Sequence, residues 1–521
     1  MGSDFQRRDF LKILAMLPAL KLAWDWERLS SSQTLQAASP DKPNVLVLVF
    51  DALSATNMSL YGYPRQTTPN LDRISQKGTV FHRHYAGGNF TSPGTATILT
   101  GTMSWTHRAF HLYGTVTKHL EENNLFRAFK DDAYQTMAFT HNDLAAMLLF
   151  QFRENIDLIQ NPEELSLFYE YILSNSIFEN DRNAAFLSER VFIRGHRGLS
   201  RQLPSSLFLS MFHRLWRTRA KNSLQREFRQ EFPRGLPSTN ATPFFYKLED
   251  GIDWVLDQVS TAPGAYLGYF HFLPPHEPYN PSREFIGIFD DGWTPTPKPP
   301  SFFSEGYSDK QLNRNRRNYD EYVAYVDSEW GRLFDTMEQR GLLENTCLVI
   351  TSDHGEMFER GILEHITPTL YEPITHVPLV IWQPGQQERI DITSLTNNTD
   401  LVPSLLSLIG QPFPTWSEGE LLPTFGNTQP DSQRSVFTVE AKSNPKNAPL
   451  RLGTVAMVKD RYKLIHYFGH EGFEDEYELF DLVNDPEELD DLYLSQPDIA
   501  RELQSVLTAK MDEVNQPFEK S

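Results

Sequence analysis

Thr91 lies in Asn89-Phe90-Thr91-Ser92-Pro93-Gly94-Thr95, a hydroxyl residue followed by a proline and a run of small residues that extends to Leu99-Thr100-Gly101. Small residues with a proline near the first turn suit the start of a helix, where backbone N–H groups attract anions. The pattern fits a nucleophile aimed at an anionic ester; the plainer alternative is helix capping, which threonine performs well. Two distant segments end apolar runs in potential metal ligands: Val45-Leu46-Val47-Leu48-Val49-Phe50 closes on Asp51, and Val349-Ile350-Thr351-Ser352 closes on Asp353-His354. Asp51, Asp353, His354 and the Thr91 oxygen make a donor set for one divalent metal ion, and the imidazole favours zinc or manganese. A cation so placed would lower the pKa of the Thr91 hydroxyl, with Ser92 and Asn89 as further hydrogen-bonding groups.

Elements must bring these residues together. Strand-like runs at 44–50, 265–272, 346–352 and 377–382 alternate with helical patterns at 69–77, 120–131 and 317–341. This implies an α/β fold with a largely parallel central sheet flanked by helices. Ligands of such sheets gather at the carboxyl ends of strands, where Asp51 and Asp353-His354 stand. Strands at 435–439, 454–458 and 462–465 precede a terminal helix near 495–513. A helical, aromatic and locally basic insertion occupies about 150–250, with Phe208, Met211, Phe212, Leu215 and Trp216 on one helical face. It is read as an extra helix packed on the core, the alternative being a lid or an anion-holding patch. The proline-rich stretch 293–300 is read as an extended loop.

The 521 residues exceed a usual single core, so a large domain with a smaller one is expected. A net charge of −20 argues against nucleic acid as a partner through the overall field. The single cysteine, Cys347, sits in an apolar run and reads as a buried hydrophobe. Arg7-Arg8-Asp9-Phe10-Leu11-Lys12 followed by Ile13-Leu14-Ala15-Met16-Leu17 is similar to a twin-arginine export signal. Residues 1–42 are therefore expected to serve targeting, with a periplasmic or extracellular product; an amphipathic helix and a cytoplasmic location are the alternative. No run is long and apolar enough for a transmembrane span.

In order, the strand closing on Asp51, the Thr-x-Pro…Leu-Thr-Gly segment and Ser352-Asp353-His354-Gly355-Glu356 resemble the signatures of the sulfatase family of the alkaline phosphatase superfamily. The likeness extends through Thr68-Pro69-Asn70-Leu71-Asp72, Pro275-His276-Glu277-Pro278, Leu370-Tyr371-Glu372-Pro373 and Glu478-Leu479-Phe480-Asp481. It implies an alkaline phosphatase-like catalytic domain at 43–430 and a small C-terminal α+β subdomain at 431–521. His276 then falls near the leaving group, with His365 a second candidate for holding the transferred anion and His107 a weaker one. The resemblance also permits calcium or magnesium.

The chain departs from the family pattern at three places. Ala52 stands where many relatives carry a second acid, Thr95 where they carry an arginine, and Asn57 is left open as a replacement donor. Sulfatases that cleave sulfate esters usually carry Cys or Ser oxidised to formylglycine, and threonine lacks that exit. The expectation is a metal-dependent hydrolase of an anionic small-molecule, glycan or lipid ester, phosphomonoester or phosphodiester in preference to sulfate, through a phospho-Thr91 intermediate. Alternatives are a cell-envelope phosphoethanolamine or phosphoglycerol transferase and a binding protein without turnover.

Overall fold

The computed structural model describes residues 42–160, 162–168, 207–239, 245–426 and 433–519. The export-signal segment before Lys42 lies outside the described residues, as do the side chains of Phe208, Met211, Phe212 and Trp216.

A central sheet of eight strands is formed by β1 (Asn44–Phe50), β2 (Thr79–Phe81), β3 (Gln135–Thr140), β4 (Leu158–Ile159), β5 (Tyr266–Phe272), β6 (Thr346–Thr351), β7 (Leu379–Trp382) and β8 (Ile390–Ile392). Their order across the sheet is β8-β2-β7-β6-β1-β5-β3-β4. All run parallel except β7, which is antiparallel to both neighbours. The chain between β6 and β7 carries a short hairpin, Phe358–Glu359 with Ile362–Leu363, and as its helix only the one-turn Glu372–Thr375. A parallel return normally needs a longer crossover helix, so the strand comes back reversed.

Strand β1 is apolar from Val45 to Phe50 for a reason the sheet supplies. Alternate side chains point to opposite faces, and both faces are covered. Leu46, Leu48 and Phe50 join one buried cluster, while Val45, Val47 and Val49 join another. On the second face lie α1 (Thr91–Thr100), α2 (Asp143–Gln151) and, further along the chain, Leu401–Leu408. On the first lie α3 (Leu248–Thr261) and α4 (Asp309–Gln339). Helix α4 begins eight residues before the expected 317, because its first turns are polar and carry no apolar period. The usable signal there is the Ser308-x-x-Gln311 box, in which the Ser308 N–H donates to Gln311 Oε1 at 3.1 Å.

In the 150–250 insertion, Leu207–Glu227 is helical. Leu224 and the following Phe228 pack on the core, and Leu215, the one side chain of the expected face among the described residues, is 62% exposed. The C-terminal part is a four-stranded antiparallel meander, β9 (Ser435–Glu440), β10 (Gly453–Lys459), β11 (Tyr462–His470) and β12 (Phe473–Asp481). Helix Pro497–Glu519 lays Ala500, Leu503, Leu507 and Met511 against it. Strand β9 braces the segment leading into α1: the Thr438 hydroxyl donates to the Ala86 carbonyl at 2.6 Å and the Val439 N–H to the Gly87 carbonyl at 3.2 Å.

Candidate active site

Four adjacent parallel strands deliver the site. Val47 and Val49 of β1 face α1, and a further step of two residues reaches Asp51, whose N–H still pairs with the Phe272 carbonyl at 3.0 Å. On β6, Cys347 and Val349 share that face, and the same step through Thr351 reaches Asp353. On β5, Leu267 and Tyr269 lead to His271, which is level with Val49 in the β1–β5 register. Asn142 lies two residues beyond the end of β3 and caps α2, its Oδ1 accepting from the Leu144 N–H at 2.7 Å. Thr91, the first residue of α1, comes down over this edge. The strand period and the sheet order therefore gather polar side chains at the carboxyl edge of the sheet.

Asp51, Asp353 and His354 are buried, and their potential ligand atoms lie within 4.8 Å of one another. His354 Nε2 is 3.2 Å from Asp51 Oδ1 and 3.7 Å from Asp353 Oδ2. Its Nδ1 donates to the Gly355 carbonyl at 2.9 Å, so once Nε2 exchanges its proton for a cation the ring turns that lone pair toward the carboxylates. Thr91 Oγ1 donates to Asp51 Oδ2 at 3.4 Å and accepts from Asn142 Nδ2 at 3.1 Å. Asn142 Nδ2 also donates to Asp51 Oδ2.

These residues fit a divalent cation. Asp51 Oδ1, Asp353 Oδ2 and His354 Nε2 are buried and make no hydrogen bond. An uncompensated buried ion costs several kcal/mol, so two carboxylates facing an imidazole lone pair call for a positive charge between them. Two donors each about 2.1 Å from a tetrahedral metal are separated by about 3.4 Å, close to the spacing found here. Without the cation, burial and the neighbouring Asp51 charge raise the Asp353 pKa. Burial opposes the charged form of His354, yet Asp353 and Asp51 outweigh it and hold its pKa at about 9.

Two further histidines extend outward from this centre. The His365 ring is 4.3 Å from that of His354, and the His276 ring is 5.0 Å from that of His365. His365 Nδ1 pairs with Glu356 Oε1 at 3.0 Å. Burial first, then the His354 and His276 charges, push the His365 pKa well down. Half-buried His276 donates Nδ1–H to the Glu277 carbonyl at 2.9 Å.

The Sulfatase family model matches residues 43–411, well over half the chain. The chain belongs to the sulfatase family. A second model, N-sulphoglucosamine sulphohydrolase, C-terminal, matches residues 367–517. Arylsulfatase K of Bos taurus is 23% identical over 489 residues, covering 90% of this chain and 82% of that protein. N-acetylgalactosamine-6-O-sulfatase of Bacteroides thetaiotaomicron is 20% identical over 543 residues, covering 95% and 98%. Phosphonate monoester hydrolase of Agrobacterium radiobacter superposes with a TM-score of 0.65 at 17% identity, covering 91% of this chain and 96% of that one. The chain is thus an ester-bond hydrolase on an alkaline phosphatase-like fold. No helix among the described residues is long and apolar enough to cross a membrane.

Other residues expected at this sulfatase-family site lie elsewhere or act indirectly. Asn89 Nδ2 donates to the His365 carbonyl at 3.0 Å, so it holds that loop. Ser92 Oγ is buried without a hydrogen bond. Asn57 donates to Asp320 at 2.9 Å instead of filling the place of a ligand. His107 accepts from the Ala109 N–H at 3.0 Å within a buried turn, a structural role. Cys347 is buried in β6. His271 and Asn142 escaped the sequence reading. The available signal for His271 is the two-residue period of Leu267, Tyr269 and His271.

Helix α1 and the Asp353 turn are in backbone contact at Gly94, where a Cβ would stand 2.3 Å from the Asp353 carbonyl oxygen. Gly94→Ala is expected to destabilise the protein by about 1–3 kcal/mol in urea unfolding, and to lower activity by moving Thr91 away from Asp353.

At the outer rim, burial first, then a hydrogen bond and repulsion from Glu277, raise the Glu364 pKa to about 8 against a weaker opposing effect of His276. The folded protein therefore holds this proton more tightly than the unfolded chain. Its stabilising contribution is complete below about pH 4.3 and is lost as the pH rises through about 8. Glu364→Gln keeps the side chain uncharged. Its melting temperature is expected to fall less than that of the wild type between about pH 6 and about pH 9.

Proposed function

We propose that the chain is a metal-dependent hydrolase in which Thr91 attacks an anionic ester, with phosphomonoesters or phosphodiesters preferred to sulfate esters. The observation that carries this reading is the position of Thr91 Oγ1. It opens α1, donates to Asp51 at 3.4 Å and accepts from Asn142 at 3.1 Å, beside the buried carboxylate pair.

Asp51, Asp353 and His354 would hold the cation, and zinc or manganese suits the imidazole better than calcium or magnesium does. When bound, the cation supplies Lewis acidity that lowers the Thr91 hydroxyl pKa and neutralises the ester's charge. The Asn142 amide hydrogen bonds the Thr91 oxygen as negative charge builds on it, and the start of α1 directs backbone dipoles at the anion. Thr91 gives its proton up along its hydrogen bond to Asp51 Oδ2; as the bond from Oγ1 to phosphorus forms, the bond to the leaving oxygen breaks, and His276 protonates that oxygen. His365 lies between His276 and the centre and helps hold the anion. Water then cleaves phospho-Thr91 and restores the hydroxyl.

The side chain itself supports phosphate over sulfate. An aldehyde made by oxidising Cys or Ser needs two hydrogens on Cβ, and threonine carries a methyl group there. The shared fold with a phosphonate monoester hydrolase lends support to the phosphorus-ester reading.

The test is a panel of aryl sulfates, phosphomonoesters and phosphodiesters assayed with zinc, manganese, calcium and magnesium. Turnover of phosphorus esters that depends on Thr91 supports the reading; turnover of sulfates alone contradicts it. Export is supported by Arg7-Arg8 and the apolar run after them. A reporter fused to residues 1–42 that stays in the cytoplasm contradicts export.

A further inference from the structure

His271 is wholly buried, and nothing in the mechanism above uses it. Its Nε2 stands 3.3 Å from Asp51 Oδ2 and 3.7 Å from Asp353 Oδ2. His354 Nε2 stands 3.2 Å from the other Asp51 oxygen, Oδ1, and 3.7 Å from the same Asp353 Oδ2, so the two imidazoles flank the carboxylate pair. Neither nitrogen makes a hydrogen bond, although each is enclosed with charged oxygens in reach. The His271 Nδ1 lies 3.3 Å from the Tyr269 hydroxyl and 3.4 Å from Thr95 Oγ1. Both hydroxyls can accept its proton, which leaves a lone pair on Nε2 directed at the carboxylates. A lone pair buried against two carboxylates is repelled unless a positive charge lies between them.

Taking Asp51, Asp353 and His354 as one metal centre, we infer that His271 is a further protein ligand, so that two imidazoles and two carboxylates surround the cation. The step is dictated by the sheet. Strand β5 lies beside β1, and its last residue on the α1 face is His271, level with Val49 and next to Asp51. Ala52 offers no side-chain oxygen to the centre and its carbonyl accepts from the Tyr319 hydroxyl, so a nitrogen donor from the neighbouring strand fills that side. The consequence is selectivity. Calcium and magnesium prefer oxygen donors in larger or octahedral shells, whereas two nitrogens beside two carboxylates suit zinc. Affinity at nitrogen sites also rises from manganese to zinc, so the second imidazole moves the preference toward zinc.

X-ray absorption on the zinc-loaded wild-type protein counts the imidazoles without any substitution. Two are expected, and one overturns the inference. In parallel, zinc and calcium affinities are measured by chelator competition for the wild type, His271→Ala, His271→Asp and Asp353→Ala. His271→Ala is expected to weaken zinc by at least about 100-fold, the upper end of what losing a supporting contact alone costs, while calcium changes little. His271→Asp is expected to narrow the preference for zinc over calcium. Zinc affinity in His271→Ala within about threefold of the wild type, with Asp353→Ala losing the metal, overturns the role of His271 and leaves the centre intact. If Asp353→Ala also keeps its zinc, the centre itself is wrong and the inference falls with it.

Discussion

Thr91→Ala is expected to lower kcat by on the order of 10⁴-fold or more while the protein still binds one equivalent of metal. The expectation follows from the separate duties of the side chains. In the proposed mechanism Thr91 supplies the attacking oxygen, while the two carboxylates and the His354 lone pair would hold the cation. Removing the hydroxyl takes away its hydrogen bond to Asp51 and the one from Asn142, which together are worth about 1–3 kcal/mol of stability. Melting should therefore drop by only a few degrees. Thr91→Ser keeps the oxygen and should retain measurable turnover. Comparable turnover in wild type and Thr91→Ala, with metal bound in both, would assign the threonine to helix capping.

The second large effect is a reversal of sign at Asp353. In the metal-free protein Asp353 and Asp51 are both buried; burial first, then repulsion from Asp51, raises the Asp353 pKa. Asp353→Asn removes one of these charges and keeps the oxygen that accepts from the His354 N–H at 3.0 Å. The metal-free variant should therefore be at least as stable as the metal-free wild type. Added zinc should reverse the order. At a thousandfold excess over Kd the wild type gains about 4 kcal/mol, whereas the variant gains little and loses activity. Melting curves of both proteins with and without zinc give all four values. Equal stabilisation of the two by zinc would place the ion elsewhere.

Asp51 and Asp353-His354 were legible in the sequence because each ends an apolar run that a sheet buried on both faces requires. Thr91 was legible from the small residues behind it. His271 was hidden because Tyr269-Phe270-His271-Phe272 reads as an aromatic core strand, and only the pairing of Val49 with His271 puts it beside Asp51. Asn142 was hidden for another reason. The strand before it, Gln135-Thr136-Met137-Ala138-Phe139-Thr140, is short and begins with polar residues, so it carries little strand signal. The direction of β7 has no local signature at all, since the connection decides it. The file from His354 through His365 to His276 depends on two loops meeting in space, which spacing along the chain does not encode.

The most direct measurement is a crystal structure of the zinc-loaded protein with orthovanadate, using anomalous scattering to locate the metal. One metal ion is expected to touch Asp51, Asp353 and His354, with vanadium bonded to Thr91 Oγ1. A metal ion bound away from those three side chains, or vanadate seated without contact to Thr91, would contradict it.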